Sequence, residues 1–292
     1  MTTFVRRMIA TAVLGAALTG CGSGASNGGG GGAEARRAPA APAPPESAAP
    51  PRSPAAPAPP TVAAGPEGLT PVFERARKGN AEKVVALTFD ADMTADQGPR
   101  AARGERFDNP RLIAALRTLK VPSTIFMTGR WAEEYPDQAR AIGTDPLFEI
   151  ANHSYSHHAF KSPCYGLPTV APDAMRADVE RAFAAFRTAG ARNVVPYFRF
   201  PGGCYDDRAL RNLGPAKVTA VQWDVVSGDA FATDADAVAG QVLAGVRPGS
   251  LVVMHCTRSA APVTEQAIRR IVPELRKKGY RFVKVSELIG QR

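Results

Sequence analysis

Residues 82–94 read EKVVALTFDADMT, an apolar run that closes on two carboxylates, Asp90 and Asp92, one residue apart. A run that is apolar at consecutive rather than alternate positions fits a strand buried on both faces. If the chain stays extended through Asp92, the period of two turns both acids to one side. There each raises the cost of ionising the other unless a cation or a proton lies between them. A solvated turn in which Asp serves as a local hydrogen-bond acceptor is the competing reading.

Working outward, strands and helices alternate. NPRLIAALRTLK (109–120) carries Leu112, Ile113, Leu116 and Leu119 at helical spacing, with Asn109 as N-cap and Pro110 in the first turn. PSTIFMTG reads as a strand, PDQARAIG as a short helix and LFEIANHS as a strand. PDAMRADVERAFAAFRTAG reads as a helix stopped by Gly190. The pattern continues with VVPYFRF (strand), DRALRNLG (helix), KVTAVQWDVV (strand), DADAVAGQVLAGV (helix), SLVVMHC (strand), TEQAIRRIVPELRKKG (helix) and YRFVKV (strand). Such alternation predicts an α/β fold of mostly parallel strands, with any site at their carboxyl ends. The chemically distinctive residues fall there: Asp90, Asp92, His153, Arg199, Asp229 and His255.

The N-terminal part belongs to a different regime. Residues 1–21 have Arg6 and Arg7, a short apolar run, then Leu18-Thr19-Gly20-Cys21, which resembles a bacterial lipoprotein signal with Cys21 as the lipidated residue. An ordinary secretory signal is the alternative, and both place the protein outside the cytoplasm. Residues 22–68 are Gly-rich and then Ala/Pro-rich, too poor in large apolar groups to offset chain entropy, so a tether is expected. The expected domain is 69–292, long enough for one sizeable core. The net charge of +9 is spread without a Lys/Arg run, so there is no nucleic-acid footprint, and anionic envelope polymers or membrane surface are the better match. A monomer held to the membrane by its lipid is expected.

EIANHSYSHH (149–158) holds three of the chain's four histidines. If a helix starts at His153, His153 and His157 share one face. Two imidazoles and a carboxylate, with positions left open, describe a hydrolytic divalent-metal site, commonly zinc. A surface histidine pair near a cap is the bland reading. FRFPGG (198–203) offers Arg199 for bidentate contact with a carboxylate, and a Pro-Gly-Gly turn whose backbone a ligand can approach. WDVVSGDAF adds Trp223, Asp224 and Asp229, and LVVMHC ends on His255.

Together these segments resemble the polysaccharide deacetylases of carbohydrate esterase family four, over roughly Lys83 to Leu288. TFDAD is similar to the family's Thr-Phe-Asp-Asp, HSYSH to His-Ser/Thr-x-x-His, RFPGG to Arg-x-Pro-x-Gly, SGDAF to its Asp-Trp segment, and LVVMHC to Leu-x-His-Asp. The resemblance implies a distorted (β/α) barrel and metal-dependent removal of acetyl groups from N-acetylated, sometimes O-acetylated, sugars. It implies Asp90 as general base oriented by Arg199, His153 and His157 as metal ligands, and His255 as general acid supported by Asp229. Substrate contacts are expected from Pro201, Gly202, Gly203 and Tyr205.

Three positions depart from the family pattern. Ala91 stands where its second Asp, a metal ligand, is usual; Ala230 and Phe231 stand at its Trp; Cys256 follows the last His. Asp92 is the nearest substitute ligand, and Ala91→Asp is expected to recover part of the metal affinity. Cys164 and Cys204 follow the second and third motifs, and a disulfide between them with Cys256 as a buried thiol is expected, three free thiols being the alternative. Peptidoglycan is the expected substrate, given the tether. Chitin-like or O-acetylated polymers, and a non-catalytic glycan-binding pseudoenzyme, are the alternatives.

Overall fold

The computed structural model describes residues 57–76 and 82–291. The expected signal, Cys21 and the tether up to residue 56 lie outside the described residues. The strands are β1 (Val72–Phe73), β2 (Val84–Ala91), β3 (Ser123–Met127), β4 (Phe148–Asn152), β5 (Val194–Phe198), β6 (Thr219–Val221), β7 (Val225–Val226), β8 (Ser250–His255) and β9 (Arg281–Phe282). The helices are α1 (Gly98–Ala102), α2 (Pro110–Thr118), α3 (Gly129–Glu134), α4 (Pro136–Gly143), α5 (Met175–Thr188), α6 (Asp207–Leu213), α7 (Ala235–Gly245), α8 (Thr264–Lys277) and α9 (Val285–Gly290). Among the described residues no helix is long and apolar enough to cross a membrane.

All strand pairs are parallel. Their order is β1-β6-β5-β4-β3-β2-β8-β7, with β9 also beside β2. β6 and β7 stand near opposite ends of that path, yet only residues 222–224 join them. Four residue steps reach about 14 Å at most, whereas six strand spacings across a flat sheet would need about 29 Å. The sheet therefore has to curl into a barrel whose seam lies at residues 222–224.

β2 sorts its side chains between two layers, as the period of two requires. Val85, Leu87, Phe89 and Ala91 join Leu112 and Leu116 of α2 and Ile268 and Ile271 of α8 in the helix-side core. Val84 and Ala86 face the barrel interior with Phe126, Tyr197, Val221 and Leu251. α2 starts where Asn109 accepts the Leu112 N–H at 3.1 Å, with Pro110 behind it in the first turn.

Three expectations are corrected. KVTAVQWDVV is two strands, because the Asp224 carboxylate accepts the Leu251 N–H (2.7 Å) and the Ser250 hydroxyl (2.8 Å), pulling the chain across the seam onto β8. YRFVKV is a strand only at Arg281–Phe282, after which α9 drives Val285, Leu288 and Ile289 into the barrel interior. The domain also begins before residue 69. The Tyr197 hydroxyl donates to the Pro60 carbonyl at 2.6 Å, and the Val62 N–H donates to Thr219 Oγ1 at 3.1 Å. Residues 57–60 line a groove with Phe148 and Val194, the first residues of β4 and β5, and with Ser286 and Glu287 of α9. This segment and α9 thus cover the end of the barrel where the strands begin.

Candidate active site

The carboxyl ends of the strands open into a cleft of about 450 Å³ lined by Asp90, Asp92, His153, His157, Gly202, Trp223 and His255, with Tyr165, Leu167, Val226 and Phe231 among its further walls. Asp90 and Asp92 lie on the same side of β2, while Ala91 between them is fully buried in the helix-side core. Position 91 therefore cannot present a ligand to the cleft, and the recovery expected from Ala91→Asp is withdrawn.

Among the described residues Asp90 is clamped by Arg199 alone. Arg199, fully buried, donates from Nη1 to Asp90 Oδ1 at 2.6 Å, while its Nε donates to the Val221 carbonyl at 3.2 Å. Its guanidinium lies over the Phe126 ring, 3.8 Å from the centroid, a packing that suits a planar, weakly hydrated cation. The other oxygen, Asp90 Oδ2, lies 3.7 Å from His153 Nε2.

The two histidines meet without a helix. Residues 153–158 form a turn in which Ser154 (φ 70°) and His157 (φ 57°) take left-handed backbone, and the imidazole centroids come to 5.0 Å. The helix expected from the i, i+4 spacing is therefore corrected. Asn152 Oδ1 accepts the Ser154 N–H at 2.8 Å, Ser154 Oγ accepts the His157 N–H at 2.9 Å, and Asp178 of α5 accepts the Tyr155 N–H at 2.8 Å. These bonds take the place of helical ones, as short polar side chains do in turns.

His153 Nδ1 lies 2.9 Å from the Arg199 carbonyl oxygen. A carbonyl only accepts, so Nδ1 carries the proton and Nε2 keeps its lone pair toward the cleft. Burial lowers the His153 pKa, with Asp90 and Asp92 offsetting only part of the shift. Burial pushes His157 down to about 4 despite Asp92. Both imidazoles are thus neutral near pH 7, the form that binds metal.

His157 Nε2 stands 3.8 Å from Asp92 Oδ2. Two ligands at about 2.0–2.1 Å from one zinc ion can be separated by up to about 4.2 Å, so a single ion could touch both. Burial opposes ionisation of Asp92, but His157, His255 and the Thr257 hydroxyl outweigh it and hold the carboxyl below its usual range. The same hydroxyl donates to Asp92 Oδ1. Among the described residues no three His, Cys, Asp or Glu side chains already converge on one point. His153, His157 and Asp92 fit a divalent cation in donor type, and His157 with Asp92 fits one in spacing, as an open site rather than a finished cage.

Across the cleft, His255 Nδ1 lies 2.8 Å from Asp229 Oδ1. Asp229 also accepts the His255 N–H (2.7 Å) and the hydroxyls of Ser227 (2.9 Å) and Thr264 (2.7 Å). Burial alone would lower the His255 pKa, but the hydrogen bond and charge of Asp229 raise it to about 9. One wall thus holds neutral imidazoles and the other an imidazolium.

Among the expected substrate contacts, Gly202 lines the cleft, whereas Pro201 is buried and Gly203 packs against Trp223. Tyr205 does not reach the cleft. Its ring stacks on Phe200 (centroids 4.9 Å, 15° between planes) beside the cluster of Phe160, Phe198 and Leu210. Cys164 and Cys204 form a disulfide, Cα atoms 6.0 Å apart, and Cys256 is a buried free thiol. Thr257, Ser227, Thr264 and Asp178 escape sequence reasoning because hydroxyls and helix carboxylates have no distinctive spacing. Tyr165 escapes it too, although its place beside Cys164 was a usable signal.

The polysaccharide deacetylase family profile matches residues 77–221. A chitooligosaccharide deacetylase of Sinorhizobium fredii is 30% identical over 218 residues, 70% of this chain and 91% of that protein. A peptidoglycan-N-acetylglucosamine deacetylase of Bacillus cereus is 27% identical over 213 residues, 72% of this chain and 90% of that one. A solved family 4 acetyl xylan esterase from Clostridium thermocellum, in complex with a cobalt ion, has a TM-score of 0.57 and 25% identity over 71% of this chain and 91% of that chain. At this identity and coverage, and with the fold these relatives share, the chain belongs to the polysaccharide deacetylase family.

Proposed function

We propose that this protein hydrolyses acetyl groups from N-acetylated glycan of the bacterial cell envelope, with peptidoglycan as the polymer, while lipid on Cys21 holds it at the membrane. The observation that carries the reading is the paired arrangement of Asp90 with Arg199 and His255 with Asp229 on one cleft. A purely glycan-binding protein would need neither a clamped carboxylate nor a charged imidazole.

Asp90, fixed by Arg199, is the base that takes a proton from the attacking water. His255 enters the reaction protonated and gives its proton to the leaving nitrogen, with Asp229 holding the ring and stabilising its charge. Gly202, at φ 64° on the cleft wall, lacks the Cβ that would collide with Cys164 Sγ, and so lets the Cys164 loop close against this wall. His153, His157 and Asp92 would hold a divalent cation, zinc or a metal of similar preference, which supplies Lewis-acid stabilisation of the developing oxyanion.

The test is acetate release by the full chain on peptidoglycan, chitooligosaccharides and acetylxylan, with chelator and with added divalent metals. Release from peptidoglycan that chelator abolishes and metal restores is the expected result. Faster release from chitooligosaccharides would favour the second reading, which the Sinorhizobium relative supports. No release from any of them would leave a glycan-binding pseudoenzyme.

A further inference from the structure

Three large apolar side chains stand out as exposed among the described residues: Tyr165 (89%), Phe231 (82%) and Val226 (53%). All three line the cleft that holds Asp90 and His255. Scattered exposed apolar groups need no explanation, but their concentration at one site does.

The two aromatics carry a second mark. Tyr165 has φ 46° and Phe231 φ 59°. Left-handed backbone strains any residue with a Cβ, and bulky ones more. Stability alone would favour Gly or Asn at both positions. Each instead combines an unfavourable backbone with an aromatic ring in water, and each is tied down. The Phe231 N–H donates to the Ala260 carbonyl at 2.6 Å. Tyr165 follows Cys164 directly, so the disulfide to Cys204 holds its loop against Gly202, where an added Cβ would lie 2.6 Å from Cys164 Sγ and 3.2 Å from the Tyr165 ring.

Their placement matches an elongated ligand. Tyr165 lies on the connection after β4 and Phe231 on the one after β7, and in the sheet order β4-β3-β2-β8-β7 the strands bearing Asp90 and His255 stand between them. We infer that Tyr165 and Phe231 form an aromatic platform that grips sugar rings of an extended glycan on either side of the one being deacetylated. The flat C–H faces of pyranose rings suit aromatic stacking, and Tyr adds a hydroxyl for the polar edge. The inference rests on the glycan deacetylase reading and extends it from the reacting sugar to its neighbours.

The test uses the full chain with N-acetylglucosamine and its pentamer. The wild type should prefer the pentamer in kcat/KM, and Tyr165→Ala and Phe231→Ala should each shrink that preference by about fivefold to tenfold, a stacking interaction's worth. The change should fall mainly on KM for the pentamer, and Tyr165→Phe should restore it. An undiminished preference in both alanine variants overturns the inference. If no form releases acetate, the deacetylase reading fails separately, and retardation in gels containing soluble glycol chitin decides the platform: slowing of the wild type that both alanine variants lose upholds it, and equal mobility refutes it.

Discussion

Ala91, the last residue of β2, and Asp92, the first after it, send their side chains into different layers, so substitutions at the two have opposite consequences. Ala91→Asp places a carboxylate among Leu87, Phe89 and Met127 without a partner. It should cost about 3 kcal/mol or more of stability in urea unfolding and leave metal affinity no higher. Asp92→Ala should weaken metal binding at least about tenfold by competition with a chromogenic chelator, since a lost ligand should exceed the smallest losses seen for its supporting groups. Asp90→Asn should lower turnover about 100-fold or more in acetate assays. At His255 the prediction is one of pH. Its pKa is raised from 6.5 to about 9, so activity that needs the imidazolium should persist through neutrality and fall as pH climbs through about 9. Removing the charge with Asp229→Asn should move that alkaline limb down toward about 6.5. The stability from the pair has the same sign: complete below the unfolded value, lost as pH rises through the folded one.

The elements were legible to very different degrees. β2, β3 and β8 carry consecutive apolar residues because both their faces are covered, which marks them as central parallel strands, whereas β4 is equally buried but broken by Glu149, which accepts from Thr124 Oγ1. The histidine turn was misread as a helix because i, i+4 spacing is met equally by a tight turn with two left-handed residues. What decides between them is a pair of local bonds, from Asn152 and Ser154 to the Ser154 and His157 N–H groups, and a third from Asp178 that becomes visible only once α5 is in place. The break between β6 and β7 was hidden likewise, since Asp224 finds its partners on β8, far along the chain. α9 was not anticipated, the expected strand YRFVKV ending at that helix's first residue, Val285, because so short an apolar run lacks a period of its own. Asp178 gives the prediction at this scale. Although it lies outside the expected ligand set, Asp178→Ala should loosen the turn and weaken metal binding about tenfold, the effect of losing a group that orients ligands. Unchanged affinity would mean that Asn152 and Ser154 hold the turn by themselves.

At the scale of the molecule, the site residues come from separate segments, and the curl of the sheet gathers them. Sequence order could place Asp90, His153, Arg199, Asp229 and His255 at strand ends, but not say that Arg199 reaches Asp90 or Asp229 reaches His255, because those contacts depend on which strands become neighbours. The described ends of the chain carry a consequence of their own. Pro60 lies at the end of the barrel where the strands begin, and a Cβ on Gly290 would meet it at 3.6 Å. Both ends thus leave from the floor of the molecule, and the cleft opens from its roof. Such polarity lets the enzyme be held from behind without masking its working face. Protein coupled to beads through either terminus should attack insoluble polymer at similar rates, whereas coupling through a thiol introduced at Phe231 should silence it. A marked difference between the two terminal couplings would show that the handle, and not the floor, governs access.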